Sequence, residues 1–169
     1  DGKQADGYDE VGIEMYGDKG LAGGMSWYKS ADHKPSVVFR PYEPPAQEPS
    51  AEFPFWFCTG RLLEHWHTGT MTRRVEELDR ALPEALLSMN AEDAAALGVN
   101  DGDMVQLTSP HGTMQIKVSL AGRVEPPSGM VFAPFFAAET LINRVVQDYY
   151  CPLSKETDYK KTCVSIKKA

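Results

Sequence analysis

Residues 59–74 concentrate the side chains that are best suited to holding a ligand. The segment reads TGRLLEHWHTGTMTRR and follows a short aromatic run, Phe55-Trp56-Phe57. Gly60 permits close approach of the backbone to a ligand, and Arg61 offers a planar fork of donors that matches a phosphate or a purine edge. With two imidazoles and several hydroxyls, these donors suit an anionic, heterocyclic ligand. The alternative is a polar loop between two core elements.

The sequence carries no recognisable metal-binding or catalytic motif. His65 and His67 could place two imidazoles on one face of a strand, but a zinc site needs at least three protein ligands, and no third ligand follows at a recognisable spacing. We therefore predict no metal site. The serines lack a nucleophile-elbow context, and neither GxGxxG nor a Walker motif occurs. We predict no catalytic residue in this chain.

Charge and hydropathy exclude two classes of partner. The net charge is -7 and the pI is about 5.1, whereas nucleic-acid-binding domains normally carry a basic face. No apolar run approaches the roughly 18 residues of a membrane span. Acidic residues dominate residues 75–103, which we interpret as a solvated face, while arginines in residues 61–74 and lysines in the tail form basic spots. Such spots suit a small anionic ligand bound locally.

The elements that must position these groups begin near Phe53. Residues 1–52, rich first in glycine and then in proline, predict an extended arm from a preceding domain, with one short strand at Val37–Phe39. Residues 53–169 predict the globular domain. We expect the chain to be part of a longer protein.

Within the domain, Asn90 and Gly98 are placed to cap a helix at its two ends. Period-two alternation on both sides of Pro110-His111-Gly112 predicts a hairpin. Further strands are expected at Met130–Phe132 and around Val164 and Ile166, and the apolar residues in 141–146 recur at helical spacing. Short strands with a few helices indicate a small, mainly β barrel.

Four runs resemble the catalytic subunits of periplasmic nitrate reductases, members of the molybdopterin oxidoreductase superfamily. They are TGRLLEHWHTGTMTRR, GDMVQLTSPHGTMQIKV, PPSGMVFAPFF followed by LINRV, and PLSKETDYKKTCVSIKK. TGR recurs across the superfamily, whereas HWHTGTMTRR together with TDYKK is much more specific. The resemblance covers roughly residues 37–169 and implies a double-psi β-barrel of the aspartate decarboxylase-like type.

The resemblance also implies a cofactor, bis(molybdopterin guanine dinucleotide) with molybdenum, used by the complete enzyme for the two-electron reduction of nitrate to nitrite. The chain would be the C-terminal cofactor-binding domain of this periplasmic oxidoreductase and would be inactive alone. The upstream domains of the same subunit would supply the molybdenum ligand and a 4Fe-4S cluster. A c-type cytochrome would donate electrons.

Carried over residue by residue, the implied cofactor contacts form one run and two distant positions: Thr59, Gly60, Arg61, Leu62, Leu63, Glu64, His65, Trp66, His67, Thr68, Asn143 and Lys160. Phe135 matches a position that lines the substrate site, although core packing would also explain it. The cysteine ligands of the family lie upstream, so Cys58, Cys151 and Cys163 receive no such role. Asn90, where relatives often carry histidine, lies outside the implied contacts.

Two alternatives remain open. The same domain could belong to an assimilatory nitrate reductase or a formate dehydrogenase, because the upstream domains set the substrate. It could also be a double-psi barrel that binds no cofactor and recognises a protein, in which case residues 59–74 would be a docking loop.

Overall fold

The computed structural model describes residues 41–42, 44–151 and 155–169. The chain divides into two compact units, Asp1–Glu43 and Pro44–Ala169. Of the first unit only Pro41 and Tyr42 are described, so the predicted strand at Val37–Phe39 lies outside the described residues. The predicted boundary between residues 52 and 53 falls inside the second unit and stays a prediction. The account that follows concerns the second unit.

Six strands of the second unit close into a mixed barrel in the order β1-β5-β2-β4-β3-β6. In chain order they are β1 (Phe55–Gly60), β2 (Leu86–Met89), β3 (Met104–Ser109), β4 (Gly112–Ser119), β5 (Met130–Pro134) and β6 (Thr162–Lys168). β1 runs parallel to β5, β2 runs parallel to β4, and the other neighbouring pairs are antiparallel. This closed barrel confirms the predicted fold class.

Alternating burial along the strands explains why the barrel closes around an apolar core. On β3, Val105 and Leu107 are fully buried and their neighbours Met104 and Gln106 are exposed. Each buried side chain removes apolar surface from water, which is the main favourable term in folding. The largest buried apolar side chains of the core come from all six strands: Phe57, Leu87, Leu107, Ile116, Val131 and Val164.

Two helices lie outside the barrel wall, α1 (Glu76–Ala81) and α2 (Ala91–Leu97). The capping expected for α2 is present. The side-chain oxygen of Asn90 accepts from the N–H of Glu92 at 2.9 Å, and Gly98 adopts the left-handed conformation at φ 67°. Local sequence therefore fixes both ends of this helix.

The predicted hairpin is confirmed as β3 and β4, joined at Pro110 and His111. The prediction of a helix over residues 141–146 is wrong, because only a single 3₁₀ turn forms at Ile142–Arg144. Ile142, Val145 and Val146 are all buried, so the helical spacing of the apolar residues reflects burial of this single turn. Strand β2, helix α1 and a 3₁₀ turn at Thr72–Arg74 were not predicted.

Among the described residues, no helix is long and apolar enough to cross a bilayer. Gln47, from the segment that sequence assigned to the arm, is hydrogen-bonded to the barrel. Its Oε1 accepts from the N–H of Cys163 at 3.2 Å, and its Nε2 lies 2.8 Å from His111 Nε2. At least part of residues 44–52 is therefore held against the barrel.

Candidate functional site

A pocket of about 800 Å³ opens where the parallel strands β1 and β5 end. Because these strands are neighbours and run in the same direction, the segments that follow Gly60 and Pro134 leave the barrel at the same end. The lining comes from three parts of the chain: residues 59–61 with Thr68, residues within 135–143, and residues within 149–160. Its volume falls in the usual range for small-molecule and cofactor sites, about 300–1,000 Å³.

Seven of the thirteen residues predicted for the site line this pocket: Thr59, Gly60, Arg61, Thr68, Phe135, Asn143 and Lys160. The six residues between Arg61 and Thr68 are outside the lining that the described residues form: Leu62, Leu63, Glu64, His65, Trp66 and His67. The fold thus gathers positions from distant parts of the chain into one cavity. Direct contact of each residue with a cofactor stays a prediction.

Two hydrogen bonds hold the tail of the chain against the end of β1. Lys160 Nζ donates to the carbonyl of Thr59 at 2.7 Å, and Thr59 Oγ1 donates to the carbonyl of Tyr159 at 3.2 Å. Each of these residues contributes to the lining. Residues that are 101 positions apart in sequence therefore share one wall of the pocket.

Gln147 fixes the same tail from the core side. It is 2% exposed, its N–H donates to Thr162 Oγ1 at 2.9 Å, and its Nε2 donates to the carbonyl of Asp158 at 2.7 Å. Within the described residues its Oε1 finds no hydrogen-bond partner. The backbone and side chain of Gln147 together thus brace residues 158–162, which carry Tyr159 and Lys160.

Gly60 has a packing role that sequence did not suggest. A Cβ built on Gly60 would lie 2.8 Å from Cε2 of Phe132, closer than real Cβ contacts come. The glycine at the end of β1 therefore makes room for a neighbouring ring on β5. The pocket still includes Gly60 in its lining, so close backbone approach to a ligand and ring packing are compatible explanations.

His65 anchors the loop after β1 to the interior. It is 2% exposed, and its ring lies 4.1 Å from the ring of Phe136. Nε2 lies 2.8 Å from the carbonyl of Leu82, and Nδ1 lies 3.2 Å from Thr72 Oγ1. Because Phe136 follows the pocket residue Phe135, this anchor joins two walls of the pocket.

Arg73 forms ion pairs beside the buried contact between His65 and Phe136. It pairs with Asp79 at 3.1 Å and with Glu139 at 3.2 Å, and its guanidinium lies 5.9 Å from the Phe136 ring centroid. The hydrogen bond to Asp79, followed by that to Glu139, raises the pKa of Arg73. The pKa of Glu139 is lowered by a hydrogen bond from its own backbone N–H and then by Arg73.

Arg61, Trp66 and His67 form an exposed group on the outer side of the loop, which we call the Arg61 cluster. The guanidinium carbon of Arg61 lies 5.8 Å from the Trp66 ring centroid, and Nη2 lies 3.2 Å from His67 Nε2. His67 has φ 51°, in the left-handed region that few non-glycine residues adopt. This turn separates the buried His65 from Thr68, which lines the pocket.

The remaining predicted residues have other surroundings. Glu64 pairs with Arg123 at 2.6 Å, and Leu62 packs against a small apolar cluster that includes Phe136. Leu63 is 87% exposed. These contacts support the shape of the loop.

The pocket combines cations, hydroxyls, an amide and aromatic rings. Arg61 and Lys160 carry positive charge, and Asp158 is paired with Lys161 at 3.0 Å. Sequence reasoning missed the contributions of Thr140, Tyr149, Thr157 and Tyr159 to the lining. Tyr159 lies in the TDYKK run, so its position was visible in the sequence but its role was not.

A model of the molybdopterin dinucleotide binding domain family matches residues 55–164. The chain belongs to this family. The match spans the barrel from β1 into β6 and therefore includes every lining segment described above. This molybdopterin dinucleotide-binding domain is the part of a molybdoenzyme that holds a molybdopterin cofactor.

The domain is also similar in structure to acetylene hydratase from Pelobacter acetylenicus, with a TM-score of 0.60 and 15% sequence identity. The similarity covers 69% of this chain but only 18% of the hydratase chain. At this identity the likeness concerns the fold alone. The matched region is thus a small part of that longer protein.

The donor set of the pocket fits a molybdopterin dinucleotide. Such a cofactor carries phosphates and flat, polar heterocycles, which require cations, hydroxyl and amide groups, and faces for stacking. Arg61 and Lys160 provide the cations, and Asn143 provides the amide. Tyr149 and Tyr159, 48% and 42% exposed, provide aromatic surface at the pocket.

Proposed function

We propose that this domain is the C-terminal part of a periplasmic molybdenum nitrate reductase and that it holds bis(molybdopterin guanine dinucleotide). The complete enzyme would reduce nitrate to nitrite with two electrons. A c-type cytochrome would supply the electrons through a 4Fe-4S cluster in the upstream part of the protein. The domain alone would not turn over nitrate.

One observation carries the cofactor-binding part of the proposal. Residues that the resemblance assigns to the cofactor come from the end of β1, from the 3₁₀ turn at residues 142–144 and from the tail, and the fold brings them into one pocket. Chance would rarely place Arg61, Asn143 and Lys160 around the same cavity, since 82 positions separate the first two, and 17 the last two. Arg61 and Lys160 are placed to attract the phosphates.

The choice of nitrate rests on the HWHTGTMTRR and TDYKK runs and on Phe135. Phe135 lines the pocket and also packs against the main core. Its core packing is therefore compatible with a position at the substrate site. The similar fold of acetylene hydratase argues that the barrel by itself does not choose the reaction. When bound, the cofactor supplies the redox chemistry, while the protein supplies position and charge.

Removal of the two pocket cations tests cofactor binding. Arg61→Ala and Lys160→Ala, made separately in the full-length protein, should each lower molybdenum and guanine nucleotide content per folded protein. A hydrogen bond to a charged group contributes about 1.5–3 kcal/mol, which is roughly a tenfold to hundredfold weakening in affinity. Glu92→Ala, an exposed change on α2, is the control and should change neither. Wild-type occupancy in both variants would contradict the proposal and favour a protein-docking loop.

The substrate is tested separately in the full-length protein, with a reduced viologen as electron donor for nitrate and an oxidised viologen as electron acceptor for formate. Nitrate should be turned over and formate should not be oxidised, whereas the pure 169-residue chain should be inactive. Phe135→Ala should change the apparent affinity for nitrate while molybdenum content stays normal. Activity of the isolated chain, or oxidation of formate in place of nitrate reduction, would contradict this part of the proposal.

A further inference from the structure

We infer that Trp66 and His67 are positioning residues that hold the guanidinium of Arg61 at the wall of the pocket. The inference rests on the proposed function, in which Arg61 faces an anionic part of the cofactor. Trp66 and His67 would act through Arg61, not by touching the ligand.

The geometry of the Arg61 cluster supports this division of roles. Arg61 lines the pocket, whereas Trp66 and His67 are outside the lining that the described residues form. The guanidinium carbon lies 5.8 Å from the Trp66 ring centroid, and Nη2 lies 3.2 Å from Nε2 and 3.5 Å from Nδ1 of His67. The two rings meet edge to face with centroids 4.7 Å apart. Two aromatic rings therefore restrain one cation.

The charge of Arg61 is left available for a ligand. Within residues 41–42, 44–151 and 155–169, no carboxylate lies within ion-pair distance of Arg61. Arg73, at the other end of the same loop, pairs with both Asp79 and Glu139. An aromatic face attracts a guanidinium through its quadrupole without neutralising it. The cluster therefore fixes a cation while keeping its charge.

The backbone beneath the cluster is itself held in place. The N–H of Trp66 donates to Thr72 Oγ1 at 3.1 Å, and the same hydroxyl is bonded to the buried His65. His67 has φ 51°, and the N–H of Gly69 donates to the carbonyl of Trp66 at 2.9 Å, which closes the turn. Both rings therefore project from a restrained turn. Because these rings already restrict the side chain of Arg61, it loses less rotamer freedom on binding a ligand than an unrestrained arginine would.

The first experiment needs no ligand. The Nε–Hε resonance of Arg61 in the 169-residue chain, assigned by its loss in Arg61→Lys, should be shifted by the aromatic rings. Trp66→Leu should move it to the position of a solvated arginine, and Trp66→Phe should keep most of the shift. Met71→Ala, which truncates another exposed apolar side chain of the loop, should leave the resonance unchanged. An unshifted resonance in the wild type would overturn the inference.

The second experiment measures coupling, with GDP as the probe and calorimetry of the same chain. Arg61→Ala should weaken binding by tenfold or more, and Trp66→Leu by about two- to fivefold, the fold-change that a cation–π contact at an exposed site corresponds to. In the Arg61→Ala background, Trp66→Leu should have no further effect. His67→Ala should behave in the same way as Trp66→Leu.

The outcomes separate the inference from the proposed function. If the wild-type chain does not bind GDP, or if Arg61→Ala does not weaken binding, the proposed ligand of the pocket is wrong, and the resonance still decides whether Trp66 holds Arg61. If Arg61→Ala weakens binding and Trp66→Leu does not, the inference is wrong while the proposed function stands. If Trp66→Leu weakens GDP binding equally in the wild type and in Arg61→Ala, Trp66 contacts the ligand directly, and the inference is also overturned.

Discussion

His65 and His67 are two residues apart and have opposite surroundings. His65 is 2% exposed and both of its ring nitrogens face hydrogen-bonding partners, while His67 is exposed beside Arg61. The same residue type is therefore part of the interior in one case and part of the exposed Arg61 cluster in the other. The loop between β1 and α1 has an inner side that secures it and an outer side that arranges charge.

The hydrogen bonds of the inner side fix the orientation of the His65 ring. The carbonyl of Leu82 can only accept, so Nε2 of His65 carries the proton and donates. Nδ1 lies 3.2 Å from the hydroxyl of Thr72, which accepts from the N–H of Trp66 at 3.1 Å. Each polar group in this series, from the Leu82 carbonyl through the His65 ring to the Thr72 hydroxyl, therefore has a partner. Removal of His65 takes a partner from both the Leu82 carbonyl and the Thr72 hydroxyl.

The largest effect should therefore come from His65→Ala. The variant loses a buried ring packed on Phe136, the donor to the Leu82 carbonyl and one of the two partners of the Thr72 hydroxyl. We expect a loss of about 2–4 kcal/mol in the free energy of unfolding, measured by urea titration of the chain. His67→Ala, the matched control, should lose less than about 0.5 kcal/mol. Equal losses would abolish the distinction between the two sides of the loop.

Gly69, on the inner side of the loop, and Gly98, at the end of α2, allow a second comparison with a smaller expected effect on stability. Gly69 and Gly98 have similar positive φ values, 74° and 67°. A Cβ on Gly69 would lie 2.9 Å from Arg73 Cγ and 3.3 Å from the Phe136 carbonyl oxygen, whereas a Cβ on Gly98 would meet no atom within 4 Å. Both alanine variants carry backbone strain, so the difference between them measures crowding at the anchor alone.

We expect Gly69→Ala to lower the free energy of unfolding by about 1–3 kcal/mol more than Gly98→Ala does, which is the usual range for crowding in a packed region. Thermal unfolding of the two variants under the same conditions would measure the difference. A Gly98→Ala variant that is as unstable as Gly69→Ala would show that the space beside Arg73 adapts readily.

The smallest effect concerns pH. Glu139 has a lowered pKa in the folded protein because its own N–H and Arg73 stabilise its charged form. A lowered pKa means that the stabilising contribution is present above the unfolded pKa, about 4.3, and is lost as the pH falls through the folded value. Glu139→Gln should therefore lower the melting temperature at pH 7 and have progressively less effect below pH 4.

Glu77→Gln is the matched control for the pH experiment, since Glu77 lies on α1 and is exposed. Its melting temperature should follow that of the wild type at every pH. If Glu139→Gln destabilises the chain equally at pH 3 and pH 7, the ion pair with Arg73 is not the cause.

Sequence predicted the elements whose signals are local. Asn90 and Gly98 specify the ends of α2 within nine residues, and the alternation around His111 specifies the hairpin. Strand β2 was missed because three of its four residues are buried, so Leu86–Met89 shows no alternation between the two faces. The turn at Ile142–Arg144 was predicted as a helix because one buried turn repeats with the same spacing.

The site was predictable in composition but not in arrangement. Residue chemistry and resemblance identified Arg61, Asn143 and Lys160, and the pocket includes all three. What sequence could not give was the direction of each side chain between Arg61 and Thr68. Left-handed residues at 67 and 69 break the regular alternation of a strand, so that His65 faces inward while Thr68 lines the cavity.

The bond between Lys160 and the carbonyl of Thr59 has a consequence for the order of assembly. Strand β6 pairs with both β1 and β3, so residues 59 and 160 can meet only after a loop of about a hundred residues has closed. Contacts between residues so distant in sequence form slowly, because the entropy of loop closure opposes them until the barrel is complete. The cavity therefore does not exist in a partly folded chain, and a cofactor of this size should be inserted after the barrel closes, not serve as the nucleus around which it folds.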